Sequence, residues 1–303
     1  MGRVVGGSVA GAVDGAVPGT MGTAHITSVT ELSRLGRKGG DAATGPGTTG
    51  PGRGEAMTDE MRAETVRISG HQGAELEAYL AQPLGDGPYG GVVVIHHLPG
   101  YDKPTKEITR RFAAEGYVAI LPNLYSREGI GVSPDDAAAS ARAKGGVPDD
   151  QLVGDVGAAA DHLRSLATSN GKVGTIGYCS GGRQSFLAAI SLPLQAAVDC
   201  YGAFVTGTPP EGFPVKVAPL GDRAGDLNCP LLGLFGADDQ YPSPEQVAEL
   251  EGLLKAAGKE YELHTYEGAG HAFFSVDRPA YRPEAAKDGW ERILAFFGKH
   301  LGA

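Results

Sequence analysis

At 303 residues the chain can hold one large α/β domain or two small ones, and its 41% hydrophobic content is ordinary for a globular protein. A formal net charge of −10 denies it the basic face that nucleic acid or an anionic membrane requires, and no apolar run approaches the roughly 18 residues of a membrane span. Three cysteines, an odd count with no Cys-x-x-Cys pair, argue for a reducing, cytoplasmic compartment without a disulfide framework.

Much of the chain's glycine lies in residues 1–56. That stretch has no periodic apolar face, and it lacks the Leu-rich centre of a secretory signal. It is expected to be a disordered, low-complexity segment, followed by one domain over 57–303. Met57 or Met61 is a candidate translation start, because periodic sequence begins just after them.

Thr65–Ser69 and Ala74–Ala81 alternate apolar and polar residues, with His71-Gln72-Gly73 as the turn of a hairpin. Gly91–His96 is a continuous apolar run, the mark of a strand buried on both faces. A loop over His97–Lys103 leads to a helix that starts at Pro104, runs to Glu115 and is stopped by Gly116. Tyr117–Leu121 reads as the next buried strand. Residues 123–148 are loop-rich, with a short Ala-rich helix over Asp135–Lys144. Asp149 or Asp150 is expected to cap a helix reaching about Ala167. Then follow a strand over Val173–Ile176, a helix over Arg183–Ile190 and a strand over Gln195–Tyr201. After a Pro/Gly-rich excursion over Thr206–Cys229 come a strand (Pro230–Phe235), a helix (Pro244–Ala257) and a last strand (Tyr261–Tyr266). An amphipathic C-terminal helix, Glu284–His300, carries Trp290, Ile293, Leu294, Phe296 and Phe297 on or near one face. This alternation implies an α/β fold, a mostly parallel doubly wound sheet flanked by helices. Ligands on such sheets sit at the carboxyl ends of the strands.

Gly177-Tyr178-Cys179-Ser180-Gly181 stands between such a strand and its helix. Gly-x-Cys-x-Gly is the cysteine form of the nucleophile elbow, in which a sharp turn exposes the nucleophile and points the next N–H at it. Ser180 is the rival nucleophile, but its neighbours two residues away are Tyr178 and Gly182, so the first glycine is missing. The bland reading is a glycine-rich turn with a buried cysteine. A phosphate loop is disfavoured, since neither Gly-x-Gly-x-x-Gly nor a Gly-Lys-Ser/Thr ending is present. A thiol needs a base and the base a carboxylate, and the chain offers Cys179, then Asp238 or Asp239, then His271, each just after a strand. If the strand persists through them, adjacent His96 and His97 point to opposite faces and cannot chelate one metal together. No His-Glu-x-x-His or Cys/His cluster calls for a metal or cofactor. Cys200 reads as core.

Four stretches resemble one family. They are Val92–Gly100, Gly116–Tyr125, Gly177–Gly182 and Tyr266–Phe273, and they occur in the family's order. From about Glu64 onward the chain resembles the dienelactone hydrolase (carboxymethylenebutenolidase-like) proteins of the α/β-hydrolase fold. The resemblance implies Cys179 as nucleophile, His271 as base and Asp239, three residues after Gly236, as acid. It implies an oxyanion hole made by the backbone N–H groups of Leu98 and Ser180. Two positions depart from the family. His97 stands where a thiol-activating glutamate is found, and as an imidazole it could favour the thiolate. Ser275 stands where an arginine holds the substrate carboxylate; Arg127 and Arg142 are nearby candidates for a second such arginine. The expected function is hydrolysis of a small ester or lactone through an acyl-enzyme, without cofactor, by a monomer with no nucleic-acid or membrane partner. The alternative is a thiol redox or electrophile-binding protein that uses Cys179 without turnover.

Overall fold

The computed structural model describes residues 60–302. The stretch expected to be disordered, residues 1–56, and the candidate start Met57 lie outside them. The initial hairpin pairs β1 (Met61–Ser69) with β2 (Glu75–Pro83), antiparallel, around a short 3-10 turn at His71–Gly73. Next come β3 (Tyr89–Ile95), α1 (Lys103–Ala114), β4 (Val118–Pro122), α2 (Pro134–Ala143) and α3 (Asp149–Ser165). The elbow strand β5 (Ser169–Tyr178) leads into α4 (Ser180–Ala189). The chain closes with β6 (Ala196–Cys200), β7 (Leu231–Gly236), α5 (Pro244–Ala256), β8 (Tyr261–Tyr266) and α6 (Pro283–Leu301).

The eight strands form one sheet in the order β1-β2-β4-β3-β5-β6-β7-β8, parallel from β4 to β8, with β2 antiparallel to both its neighbours. The apolar run of β3 explains its central place. Val93 and Ile95 face one core, with Leu152 and Leu163 of α3 and Phe186 of α4. Val92 and Val94 face the other, with Phe112 of α1 and Ile293 and Phe297 of α6. A period-two strand buried on both faces needs apolar residues at every position, and this one has them. From β3 the chain steps outward to β4, then returns past β3 to β5. That reversal opens a crevice between the carboxyl ends of β3 and β5, the usual ligand position on such sheets.

Two local expectations need correction. Asp149 and Asp150 do not cap α3; Pro148 holds the cap position and Asp149 is the first helical residue. Its carboxylate is instead bound bidentately by Arg183, at 2.9 and 3.0 Å. The elbow strand also begins four residues earlier than Val173, because Ser169 pairs with Tyr89 of β3. That pairing is a matter of backbone register, which side-chain periodicity does not report.

One buried ion pair ties the hairpin turn to α3. Asp155, fully buried, accepts from Arg127 Nη1 at 2.6 Å, from Arg127 Nη2 at 3.0 Å and from the His71 N–H at 2.8 Å. Arg127 also donates to the His71 carbonyl at 3.0 Å. Arg127 is therefore structural and has no free face for a substrate carboxylate. Asp155→Ala would strand the Arg127 charge and the His71 N–H. We expect a loss of about 3–5 kcal/mol, a fall in Tm of roughly 10 °C, with Cys179 reactivity at 25 °C unchanged. A Tm within about 2 °C of wild type would show that the pair contributes little.

Candidate active site

The turn from β5 into α4 is built by close backbone approach. At its apex Cys179 adopts φ 59° and ψ −123°, a conformation that non-glycine residues rarely hold. A Cβ at Gly177 would land on the Gly181 carbonyl, one at Gly181 on the Ile95 carbonyl, and one at Gly182 on the Asp199 carboxylate. Each glycine is thus required by what it touches. The Cys179 N–H donates to the Cys200 carbonyl at 3.1 Å, which fastens the apex to β6. Ser180, the rival nucleophile, is the first residue of α4.

The half-buried thiol of Cys179 meets the His271 side chain and the backbone N–H groups of Ser180 and Leu98. Burial pushes the thiol up. The His271 hydrogen bond and charge, with the two N–H groups, outweigh it and hold the thiol below its ordinary value. Two N–H groups that converge on one point are also what an oxyanion needs.

His271 lies in the loop after β8, and its Nδ1–H donates to Asp239 Oδ2 at 2.8 Å. The other carboxylate oxygen, Oδ1, accepts the Tyr241 N–H at 2.9 Å. Asp239 is buried and Asp238 exposed, so of the two aspartates only the former is walled in with the imidazole. A Cβ at Gly236 would strike the Ala269 carbonyl, so this glycine lets the loops after β7 and β8 meet. Burial would lower the imidazole, but its bond to Asp239 and its bond and charge pairing with Cys179 raise it to about 10. Both shifts favour the thiolate–imidazolium form of the pair.

The loop after β3 is held by residues whose roles the sequence did not reveal. His96 is fully buried, and burial depresses it to about 4 despite its bond to the His97 carbonyl. The neutral ring donates from Nδ1 to that carbonyl at 2.9 Å and accepts the Leu124 N–H on Nε2 at 3.2 Å. The Tyr125 hydroxyl donates to the Leu98 carbonyl at 2.9 Å, which fixes the peptide next to the one that faces the thiol. Tyr125 lies three residues past the end of β4, and its place at a strand's carboxyl end was the available signal.

His97 does not take the place expected of it beside the thiol. Its Nε2 is bound to Asp102 Oδ2 at 2.6 Å, while Asp102 Oδ1 caps α1 through the Thr105 N–H at 3.0 Å. A carboxylate is the stronger partner for an imidazole, and the helix start places one within reach. β3 ends at Ile95, so His96 and His97 lie in the loop beyond it, His96 buried and His97 half-buried. Ser275 and His97 line a separate cavity of about 460 Å³ with Tyr178, Tyr201 and Trp290. Arg142 makes no ion pair among the described residues, and its charge acts on the Tyr125 phenol. Cys200 and Cys229 are buried free thiols. Among the described residues no group of three His, Cys, Asp or Glu side chains is placed to hold a metal.

Residues 76–301 match the profile of the Dienelactone hydrolase family. The chain is 39% identical over 241 residues to the "Putative carboxymethylenebutenolidase" of Escherichia coli (strain K12), covering 76% of this chain and 85% of that protein. It is 31% identical over 248 residues to the "Probable 2-oxo-3-(5-oxofuran-2-ylidene)propanoate lactonase" of Bradyrhizobium sp, covering 80% and 98%. The crystal structure of the "Putative Dienelactone Hydrolase" from Klebsiella pneumoniae subsp. pneumoniae MGH 78578 superposes with a TM-score of 0.69 at 35% identity, covering 80% of this chain and all of that one. With the strand order above, this is the α/β-hydrolase fold.

Two measurements check the electrostatics. Iodoacetamide should alkylate Cys179 with a pH midpoint below that of a free thiol. Burial raises both Cys200 and Cys229, the latter to about 12, so both should stay unreacted at neutral pH. His271→Ala should move the Cys179 midpoint up and His97→Ala should leave it in place. A midpoint that follows His97 would return that imidazole to the thiol's side. The second measurement concerns Asp199, fully buried on β6 beside Gly177. Burial raises its carboxyl from 3.8 to about 7, opposed only by the Gly202 N–H at 2.7 Å. Because the folded value lies above the unfolded one, its stabilisation is full below about pH 4 and is lost as pH rises through about 7. Asp199→Asn stays neutral, so its stability relative to wild type should improve by about 2–3 kcal/mol from pH 5 to pH 8 in urea denaturation. An unchanged gap would mean that Asp199 is ionised throughout.

Proposed function

The chain belongs to the dienelactone hydrolase family, a family of lactone and ester hydrolases, and we propose that it cleaves a small ester or lactone by thiolate attack from Cys179. The observation that carries this reading is that Cys179 lines one chamber with Leu98 and Ser180 and one groove with His271, the three groups that hold its thiol down. A redox or scavenging thiol needs the imidazole alone; a pair of backbone donors is what acyl transfer needs.

The Cys179 thiolate adds to the carbonyl carbon, and the C=O electron pair moves onto oxygen, which the Leu98 and Ser180 N–H groups receive. When that pair returns, the C–O bond to the leaving alkoxide breaks. The His271 imidazolium gives the alkoxide its Nε2 proton, which leaves a thioester on Cys179 and a neutral imidazole. In a lactone the new hydroxyl stays tethered to the acyl group. Water then attacks the thioester while His271 takes its proton, and collapse releases the acid and restores thiolate and imidazolium. Asp239 keeps the Nδ1–H fixed throughout, so that Nε2 is the atom that exchanges the proton. Each oxyanion donor is worth on the order of a hundredfold to a thousandfold in kcat in comparable sites. The free thiols of Cys179, Cys200 and Cys229 fit a reducing, cytoplasmic setting, and we propose that the protein works there as a monomer.

A panel of lactones and aryl esters tests the reading. Turnover should be lost in Cys179→Ala. It should fall by about a thousandfold or more in Asp239→Asn, and by no more than about threefold in Asp238→Asn. Fast alkylation of Cys179 without turnover of any panel member would favour the thiol-binding alternative. Turnover that survives Cys179→Ala would remove Cys179 as nucleophile.

A further inference from the structure

We propose that the enclosed chamber beside Cys179 receives a short, apolar, uncharged acyl group, so that preferred substrates carry no carboxylate on the acyl side. The inference rests on Cys179 being the nucleophile and goes on to name the class of substrate it acylates from.

The two sides of the reacting carbonyl are told apart by where the proton donor stands. Cys179 opens in two directions. One is an open groove along Asp238–Tyr241 that contains His271. The other is the enclosed chamber, lined by both oxyanion residues, Leu98 and Ser180, and closed above by Phe204 and the segment 213–217. A leaving alkoxide must face His271 to be protonated, so it departs into the groove. The acyl chain, on the far side of the same carbon, turns into the chamber.

The lining of that chamber is apolar where it meets the chain. In segment 213–217, Phe213, Val215 and Val217 are half-buried and line it, while Pro214 and Lys216 between them are exposed. Ala203, Phe204 and Val147 extend this apolar wall, and Tyr125, Gln184 and Arg183 supply its polar part. The free space for water centres is about 60 Å³. At roughly 10–15 Å³ per water, this is room for about four to six waters, the bulk of an acyl chain of about four to six heavy atoms.

No free cation waits there. Among the described residues Arg183 is the only cation in the lining, and it is itself buried. Its guanidinium charge is neutralised by a bidentate bond to Asp149, at 2.9 and 3.0 Å, and Nη2 also donates to the Ala218 carbonyl at 2.7 Å, while its buried Nε–H has no partner. Arg127 is spent on Asp155. Arg142 is not in the lining, and Ser275 faces the other cavity. A carboxylate carried into the chamber would lose its water and meet a guanidinium whose charge Asp149 already neutralises, which disfavours it. The carboxylate-binding arginines that the family resemblance led one to look for are thus absent from the place where an acyl-side carboxylate would lie.

The test uses the full chain and a pair of esters with one leaving group, p-nitrophenyl butyrate and p-nitrophenyl hemisuccinate, so the groove side is constant. The expected kcat/KM for the butyrate is about a hundredfold or more above that for the hemisuccinate. From acetate through butyrate it should rise roughly threefold to fourfold per methylene, then fall once the chain exceeds about six heavy atoms. Val215→Arg, which puts an unpaired cation into the lining, should narrow the gap between the two esters. Intact-mass spectrometry of the acylated chain separates the two levels of failure. If both esters acylate Cys179 and the hemisuccinate is equal or faster, the inference is overturned and the thiol mechanism stands. If neither ester acylates Cys179, the nucleophile assignment falls and the inference with it.

Discussion

Everything at the site hangs on how closely three backbones approach at the top of β3 and β5. Gly177 lies against the Gly181 carbonyl, Gly181 against the Ile95 carbonyl, and Gly182 against Asp199 and the Cys200 carbonyl. With no side chain at these points, β5 can turn into α4 within one residue. That turn forces Cys179 into its positive-φ conformation and puts the sulfur over the crevice between β3 and β5. The same approach draws the loop after β3 close enough for the Leu98 N–H to reach the sulfur. The strained conformation of Cys179 survives because the sheet beneath it, buried on both faces, fixes the ends of the turn.

The charges follow from that packing. Burial works against every ionised group at the site, and which groups are charged is decided by their partners. Cys179 and His271 have each other, with Asp239 behind the imidazole, and both are held toward their charged forms. His96 lacks an acidic partner and is kept neutral, which suits its work as donor at one ring nitrogen and acceptor at the other. Asp199 has one N–H for company and is pushed toward the neutral acid. Around the elbow, the direction in which each titratable group is pushed thus follows from the partners it has.

The departures from the family pattern have a common physical meaning. His97 is drawn away by the carboxylate that caps α1, so activation of the thiol falls to His271 and to the backbone. Arg127 braces α3 against the hairpin turn, and Arg183 joins the elbow helix to Asp149 and the covering loop. Arg127 and Arg183 are thus engaged in holding the structure around the site together. What remains at the thiol is an apolar chamber on one side and a polar groove on the other, a division that suits an ester whose acyl part is greasy and whose leaving group is wet.

By itself the sequence determined the order and type of the elements, the apolar strands at the sheet's centre and the glycine spacing of the elbow, because these are local patterns of period and steric need. It also determined that Cys179, an aspartate and His271 end up near one another, since each follows a strand and the strands are parallel. Between Asp238 and Asp239 the residues alone left the choice open and the family resemblance pointed to Asp239, which in the structure is the one buried against the imidazole. Other choices between neighbours were decided only by the tertiary structure. His97 turns to Asp102, Asp149 serves Arg183 instead of a helix end, and Tyr125 reaches the Leu98 carbonyl across 27 positions of chain. Each of those choices is a competition among partners brought together by folding, and a competitor distant in sequence leaves no mark on the local pattern.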